Sequence, residues 1–214
     1  MTDMDACLVD AYGTILDADF GARGRELSEL AGLSANEMHD AYVRLEPGLS
    51  VGELSRLQGY ELILRTYGIE PRDGLLRELA ARERELLLAD GFVFDDTMPF
   101  LEGLKARGIK IAVVSNCGEF TRDLLFSLGV AALADTLVLS CEVGCVKPSP
   151  RIYRQALKEL GVAAEAALFV DDQAVFCAGA EAIGIKGVQI VRGAAAPGRA
   201  GPVVRSLLEV EAHL

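Results

Sequence analysis

Cys7-Leu8-Val9-Asp10-Ala11-Tyr12-Gly13-Thr14-Ile15-Leu16 is an apolar run that ends on an acid and then breaks. The order describes a buried strand that delivers one carboxylate to its C-terminal tip, with Gly13 free to turn the backbone sharply away. In open α/β sheets ligands bind beyond the carboxyl ends of the strands, which puts Asp10 where chemistry is done. Position 12 carries Tyr rather than a second acid.

With this first run at 6–10, strand-like runs recur at 109–115, 136–140, 167–171 and 188–191, and helical patterns separate the later ones. Phe120, Leu124, Leu125 and Leu128 share one helical face, and Gly129 stops that helix. Ser149 and Pro150 start another, with Ile152, Ala156, Leu157 and Leu160 inward and Gly161 as its C-cap. Pro99 lies near the first turn of a further helix that ends around Gly108. Alternating strands and helices predict an α/β fold with a doubly wound, mostly parallel sheet.

Residues 17–91 follow a different pattern, helical throughout and without a strand. Ser34-x-x-Glu37 reads as a capping box before a helix reaching about Glu46, and further helices are predicted over 51–67 and 72–89. Glu78, Arg82, Glu83, Arg84 and Glu85 read as a solvated, salt-bridged face of the last one. Inserted directly after the first strand, this block would overhang the sheet edge as a lid. The expected organisation is a core of residues 1–16 and 92–214 with an inserted helical cap at 17–91. Residues 193–202 read as an Ala/Gly/Pro-rich surface loop, and 203–214 as a closing helix.

The 214 residues are 51% hydrophobic and 25% charged, ordinary for a globular chain. A net charge of -11 offers no basic face, so no nucleic-acid partner is expected. No apolar run approaches the roughly 20 residues that cross a bilayer, and the early first strand argues against an N-terminal signal. Cys7, Cys117, Cys141, Cys145 and Cys177 lack metal-ligand spacing, and read as small half-buried thiols in a reducing cytoplasm. Only His39 and His213 are present, which disfavours a histidine-driven serine or cysteine hydrolase.

Four elements could carry chemistry together. Asp10 can attack an electrophile and hold it covalently. Ser115 and Asn116, after the run Ile111-Ala112-Val113-Val114, can donate hydrogen bonds to the oxygens of a transferring group. Lys147, fixed between Val146 and Pro148 just before a helix start, can neutralise the attacking carboxylate and charge developing on a phosphate. Asp171 and Asp172 end another buried strand, where two acids repel unless a cation or donor separates them, so with Asp10 they suit a magnesium ion. Each element alone has an ordinary reading as a capping acid, a turn or a surface lysine, whereas their order and spacing do not.

In that order the motifs Asp10-Ala11-Tyr12-Gly13-Thr14, Ser115-Asn116, Lys147-Pro148 and Asp171-Asp172 make the chain similar to the haloacid dehalogenase superfamily of hydrolases. The core resemblance covers about residues 4–15 and 92–191, and the helical insertion matches the placement of that family's first type of cap. It implies a Rossmann-like core, an aspartyl nucleophile at Asp10, Thr14 orienting the nucleophile loop, and Ser115 and Lys147 as partners of a phosphate or carboxylate. In the magnesium-using branches it implies metal at Asp10, the Tyr12 carbonyl, and Asp171 or Asp172.

The two ends of the site resemble different branches. Phosphatases of the family place an acid where Tyr12 stands, to protonate the leaving alcohol and activate water, and such help is worth roughly 10²–10⁴-fold. The Asp-Ala-Tyr-Gly-Thr run is instead similar to the 2-haloacid dehalogenases, in which halide leaves without a proton and no magnesium is needed. Those enzymes carry serine where this chain has Asp171 and an acid where it has Phe176. Phosphonate-cleaving relatives use a cap lysine, and no lysine occurs between residues 16 and 91. Tyr12, Asn116 and Arg44 are the expected substrate-binding residues, with Arg56 and Arg65 as further cap cations. The leading expectation is a magnesium-dependent phosphoryl hydrolase of a small metabolite. The alternatives are a 2-haloacid dehalogenase and a non-catalytic ligand- or protein-binding relative.

Overall fold

The computed structural model describes residues 4–193 and 201–214. Strand β1 (Ala6–Val9) is buried along its whole length. Short β2 (Leu16–Asp17) follows, then helices α1 (Phe20–Ala31), α2 (Ala35–Ser50), α3 (Arg56–Thr66) and α4 (Asp73–Asp90). The chain returns through β3 (Phe92–Val93) to α5 (Thr97–Ala106), β4 (Lys110–Ser115), α6 (Thr121–Ser127), α7 (Val130–Leu133) and β5 (Thr136–Leu139). It continues through α8 (Ser140–Val143), α9 (Pro150–Leu160), β6 (Ala167–Asp171), α10 (Ala174–Glu181), β7 (Lys186–Ile190) and β8 (Val203–Val204).

Six strands form one sheet in the order β5-β4-β1-β6-β7-β8, and every neighbouring pair is parallel. Alternate residues feed two cores. Cys7, Val9, Ile111 and Val113 face one core with Phe100 of α5 and Leu124 of α6. Ala6, Leu8, Ala112 and Val114 face the other with Ile152 and Tyr153 of α9. Burial on both faces explains why these strands read as unbroken apolar runs. The chain leaves β1 for β4 on one side and reaches β6 on the other, so the crevice of this doubly wound sheet opens at the tip of β1.

Helices α1–α4 pack around Leu27, Met38, Tyr60, Ile63, Leu64 and Leu79, a core of their own. Leu16 and Asp17 pair antiparallel with Val93 and Phe92, so a two-residue ribbon joins the helical block to the sheet, and its first strand carries into Asp17, within the 17–91 stretch read as strand-free.

Other expectations need correcting. The capping box at Ser34 and Glu37 forms, but α2 runs past Glu46 to Ser50 with Pro47 inside it, because Leu49 is buried against Gly59. The helix predicted over 51–67 begins only at Arg56, after a turn with Gly52 at φ +70 and behind a second capping box of Ser55 and Gln58. Glu83 does not belong to the solvated face of α4, since it is buried. The predicted closing helix splits: Val203–Val204 pairs with Gln189 and Ile190 as β8, and a 3-10 helix covers Leu207–His213. Most of the predicted loop at 193–202 lies outside the described residues.

Candidate active site

Two strand tips place the acids, and the loop between α8 and α9 places the lysine. Asp10 follows β1 and donates its backbone N–H to Val170 of β6 at 2.9 Å. The loop then folds back, with the N–H groups of Ile15 and Leu16 donating to the Ala11 carbonyl. Gly13 has φ +73, and a Cβ there would lie 2.9 Å from Asp172 Oδ2, so the residue must be small and left-handed for both reasons. Thr14, fully buried, accepts a hydrogen bond from the Asp172 backbone N–H at 3.1 Å, tying the first loop to the last acid.

Lys147 is 2% exposed, with Nζ 2.6 Å from Asp10 Oδ1 and 2.6 Å from Asp171 Oδ2. Burial alone would lower its pKa, but Asp10 and Asp171 outweigh that and raise it, so the ammonium stays charged. Asp171 Oδ1 accepts from the Gln173 N–H at 2.7 Å. Burial first, and then Asp10, push the Asp171 carboxyl upward against the pull of Lys147. Asp172 is raised by the same two causes, and its Oδ1 is buried without a hydrogen-bond partner among the described residues.

Asp10, Asp171 and Asp172 each present an oxygen within 4.8 Å of the others. One lysine cannot neutralise three carboxylates, and an orphaned acceptor in such a cluster suits a small hard cation with oxygen ligands. The residues present therefore fit magnesium.

Ser115 ends β4 with its hydroxyl buried and unpartnered among the described residues, free to donate to a substrate oxygen. Asn116 is engaged differently from expectation. Its Nδ2 donates to the Lys147 carbonyl at 3.1 Å, and its Oδ1 accepts from the Lys147 N–H at 2.7 Å. It clamps the lysine loop while also lining the neighbouring cavity.

That cavity, about 670 Å³, lies between the helical block and the sheet edge. Tyr12 and Asn116 form its floor, and Leu27, Met38, Leu49 and Phe120 are among its walls. The Tyr12 hydroxyl lies 3.1 Å from Thr121 Oγ1, and its ring packs edge-on against Phe20. Arg44 is not brought there: it is exposed and donates to the Tyr67 hydroxyl at 3.2 Å. Arg65 is paired with Glu61 at 2.9 Å on the surface.

Arg56 does reach the cavity, but its Nε is 3.0 Å from Glu83 Oε2 and both side chains are buried. It also crosses Gly118, where a Cβ would lie 2.4 Å from Nη2. Sequence reasoning missed Arg23, Glu83 and Arg192. For Arg192 a signal existed, because it directly follows a predicted strand at the sheet edge that carries Asp10; for Arg23 and Glu83 the helical period alone named no partner.

A family model of haloacid dehalogenase-like hydrolases matches residues 4–184. An (S)-2-haloacid dehalogenase of Burkholderia cepacia is 30% identical over 200 residues, covering 87% of this chain and 83% of that protein. A phosphatase of Mycobacterium tuberculosis is 28% identical over 204 residues, covering 88% of each. The solved structure of a phosphatase from Thermococcus onnurineus superposes with a TM-score of 0.71 at 25% identity, over 98% of this chain and 97% of that one.

Proposed function

Because the chain belongs to the haloacid dehalogenase-like hydrolases, we propose that it hydrolyses a small phosphorylated metabolite in the cytoplasm through a phosphoryl-aspartate at Asp10. The observation that carries this reading is the cluster of Asp10, Asp171 and Asp172 around a single lysine. A dehalogenase that displaces halide without metal has no need of two extra acids beside its nucleophile.

The Asp10 carboxylate attacks phosphorus, and the bond to the leaving oxygen breaks with its electron pair on that oxygen. Ser115 donates to a phosphoryl oxygen, and Lys147 offsets charge on the nucleophile and the transferring group. Thr14 and Asn116 hold the two loops in place. Water then attacks phosphorus, releasing phosphate and restoring Asp10. The helices of 17–91 act as a cap that excludes bulk water during transfer. Magnesium bound by Asp10, Asp171, Asp172 and the Tyr12 carbonyl would offset the negative charge of the phosphoryl group and the acids.

A second reading, 2-haloacid dehalogenation, draws on Tyr12. Its hydroxyl is tied to Thr121, and the first loop offers no proton donor for an alcohol, which a departing halide does not need.

The test uses p-nitrophenyl phosphate and 2-chloropropionate, each with magnesium and with EDTA. Phosphate release abolished by EDTA and by Asp10→Asn is the expected result. Chloride release that resists EDTA would establish the second reading instead. Magnesium should also raise the melting temperature of the wild type and not of Asp172→Asn. Turnover of either compound by Asp10→Asn would refute both mechanisms.

A further inference from the structure

Three arginines of the helical block line the cavity; Arg25 is exposed to solvent, and the two buried ones, Arg23 and Arg56, differ in one respect. Arg56 is neutralised by Glu83. Arg23, on α1, is only 8% exposed, and its Nη1 is buried with no hydrogen-bond partner among the described residues. Among the described residues no carboxylate forms an ion pair with it. Asp90 feels the Arg23 charge without pairing, and the Arg23 guanidinium stacks over the Phe20 ring, 4.4 Å from its centre. A buried cation without a counter-ion is costly unless something supplies one, and an arginine fork matches a carboxylate in two parallel hydrogen bonds.

The surroundings define what that carboxylate is attached to. Phe20, Leu27, Met38, Leu49, Leu87 and Phe120 line the same cavity, which at about 670 Å³ has the size of a small-molecule site. It is also lined by Tyr12 and Asn116, which lie two residues after Asp10 and one after Ser115, so the Arg23 cavity adjoins the loops that carry the acids. The buried, unpaired charge of Arg23 calls for one negative charge at that end.

We infer that Arg23 is the specificity-determining residue of the cavity. It receives a carboxylate carried on a short apolar or aromatic body, at the opposite end of the substrate from the phosphoryl group. This rests on the phosphoryl-transfer reading for the reacting end of the substrate, but the carboxylate subsite itself does not depend on it.

The experiment separates the two. Isothermal titration calorimetry measures 3-phenylpropionate and its uncharged isostere 3-phenylpropionamide against wild type, Arg23→Gln and Arg23→Lys, after circular dichroism has shown that each variant is folded. Wild type should prefer the carboxylate by at least about thirtyfold, the glutamine variant should show a ratio near one, and lysine should fall between. In parallel, kcat/KM is compared for 4-(carboxymethyl)phenyl phosphate and its primary amide, and the same ratio should collapse in Arg23→Gln. A carboxylate preference with no hydrolysis of either phosphate would overturn the phosphatase reading and leave the Arg23 subsite standing. No carboxylate preference in wild type, no binding of either compound, or a preference unchanged in Arg23→Gln would overturn the subsite.

Discussion

The Arg192 guanidinium donates to the Thr14 carbonyl from both Nε, at 3.0 Å, and Nη2, and so braces the loop that follows Asp10. Asp96 holds it in turn, with Oδ1 2.9 Å from Nη2, and accepts hydrogen bonds from Ser206 and the Leu207 N–H. Burial alone would raise the Asp96 pKa, but Arg192 and these donors outweigh it and lower it. The guanidinium also stacks on Phe94, 3.7 Å from the ring centre.

Arg192→Gln removes the brace without touching the reacting atoms. Small displacements of a nucleophile are expensive, so kcat should fall by about tenfold to a hundredfold with KM little changed, and Arg192→Lys should recover part of it. Steady-state kinetics on p-nitrophenyl phosphate decide the matter, and an unchanged kcat in the folded glutamine variant would remove Arg192 from any positioning role.

Tyr12 bears on the second half-reaction. Burial pushes its hydroxyl up to about 12 despite the bond to Thr121, so it neither gives nor takes a proton near neutrality. Water attack on the phosphoryl-enzyme should then be the slow step. Stopped-flow mixing with p-nitrophenyl phosphate should show a burst of nitrophenolate near one per enzyme and a slow steady state. Tyr12→Asp should raise the steady rate by roughly 10²-fold. A variant no faster than wild type would mean that missing acid-base help is not what limits turnover.

The Arg56 and Glu83 pair sits in a network with Tyr42 and Tyr60, whose hydroxyls lie 3.3 and 2.8 Å from the Glu83 carboxylate. Removing one partner strands the other charge in a buried site. Glu83→Leu and Arg56→Met should each cost about 3–5 kcal/mol, while the double replacement Arg56→Met with Glu83→Leu should cost much less than their sum. Urea denaturation of the four proteins measures the coupling, and simple additivity would show that the pair is not an energetic unit.

Alkaline pH should reveal two half-buried tyrosines. Tyr12 and Tyr42 are both pushed up to about 12, chiefly by burial, against about 10 in the unfolded chain. Between those values the unfolded state loses protons that the native state keeps, so stability is intact below pH 10 and declines as pH rises toward 12. Each could contribute up to roughly 2 kcal/mol to that decline. Melting temperatures from pH 9 to 12 should fall less steeply in Tyr12→Phe and Tyr42→Phe than in the wild type, and identical slopes would contradict the shift.

Local signals were the ones legible in the chain. The capping box of Ser34 and Glu37 and the Gly161 C-cap are made by neighbours in sequence, and both form as read. Val203 and Val204 show the opposite case: their helical reading yields to the free edge of β7, which only the assembled sheet provides. Glu83 sits among charged neighbours that do face solvent, and its burial follows from the arrival of Arg56 from another helix.

The sequence by itself determined the parallel sheet and which acids end its strands, because an apolar run, an acid and a turn are a local pattern with a fixed consequence. It offered Arg44, Arg56 and Arg65 as cations of the helical block and passed over Arg23. Only the packing of four helices over the sheet decided that Arg44 faces water, that Arg56 spends its charge on Glu83 and that Arg23 keeps its own. The reason is geometric: the side-chain direction on a helix is set by its rotation against its neighbours, and that rotation is a property of the whole core.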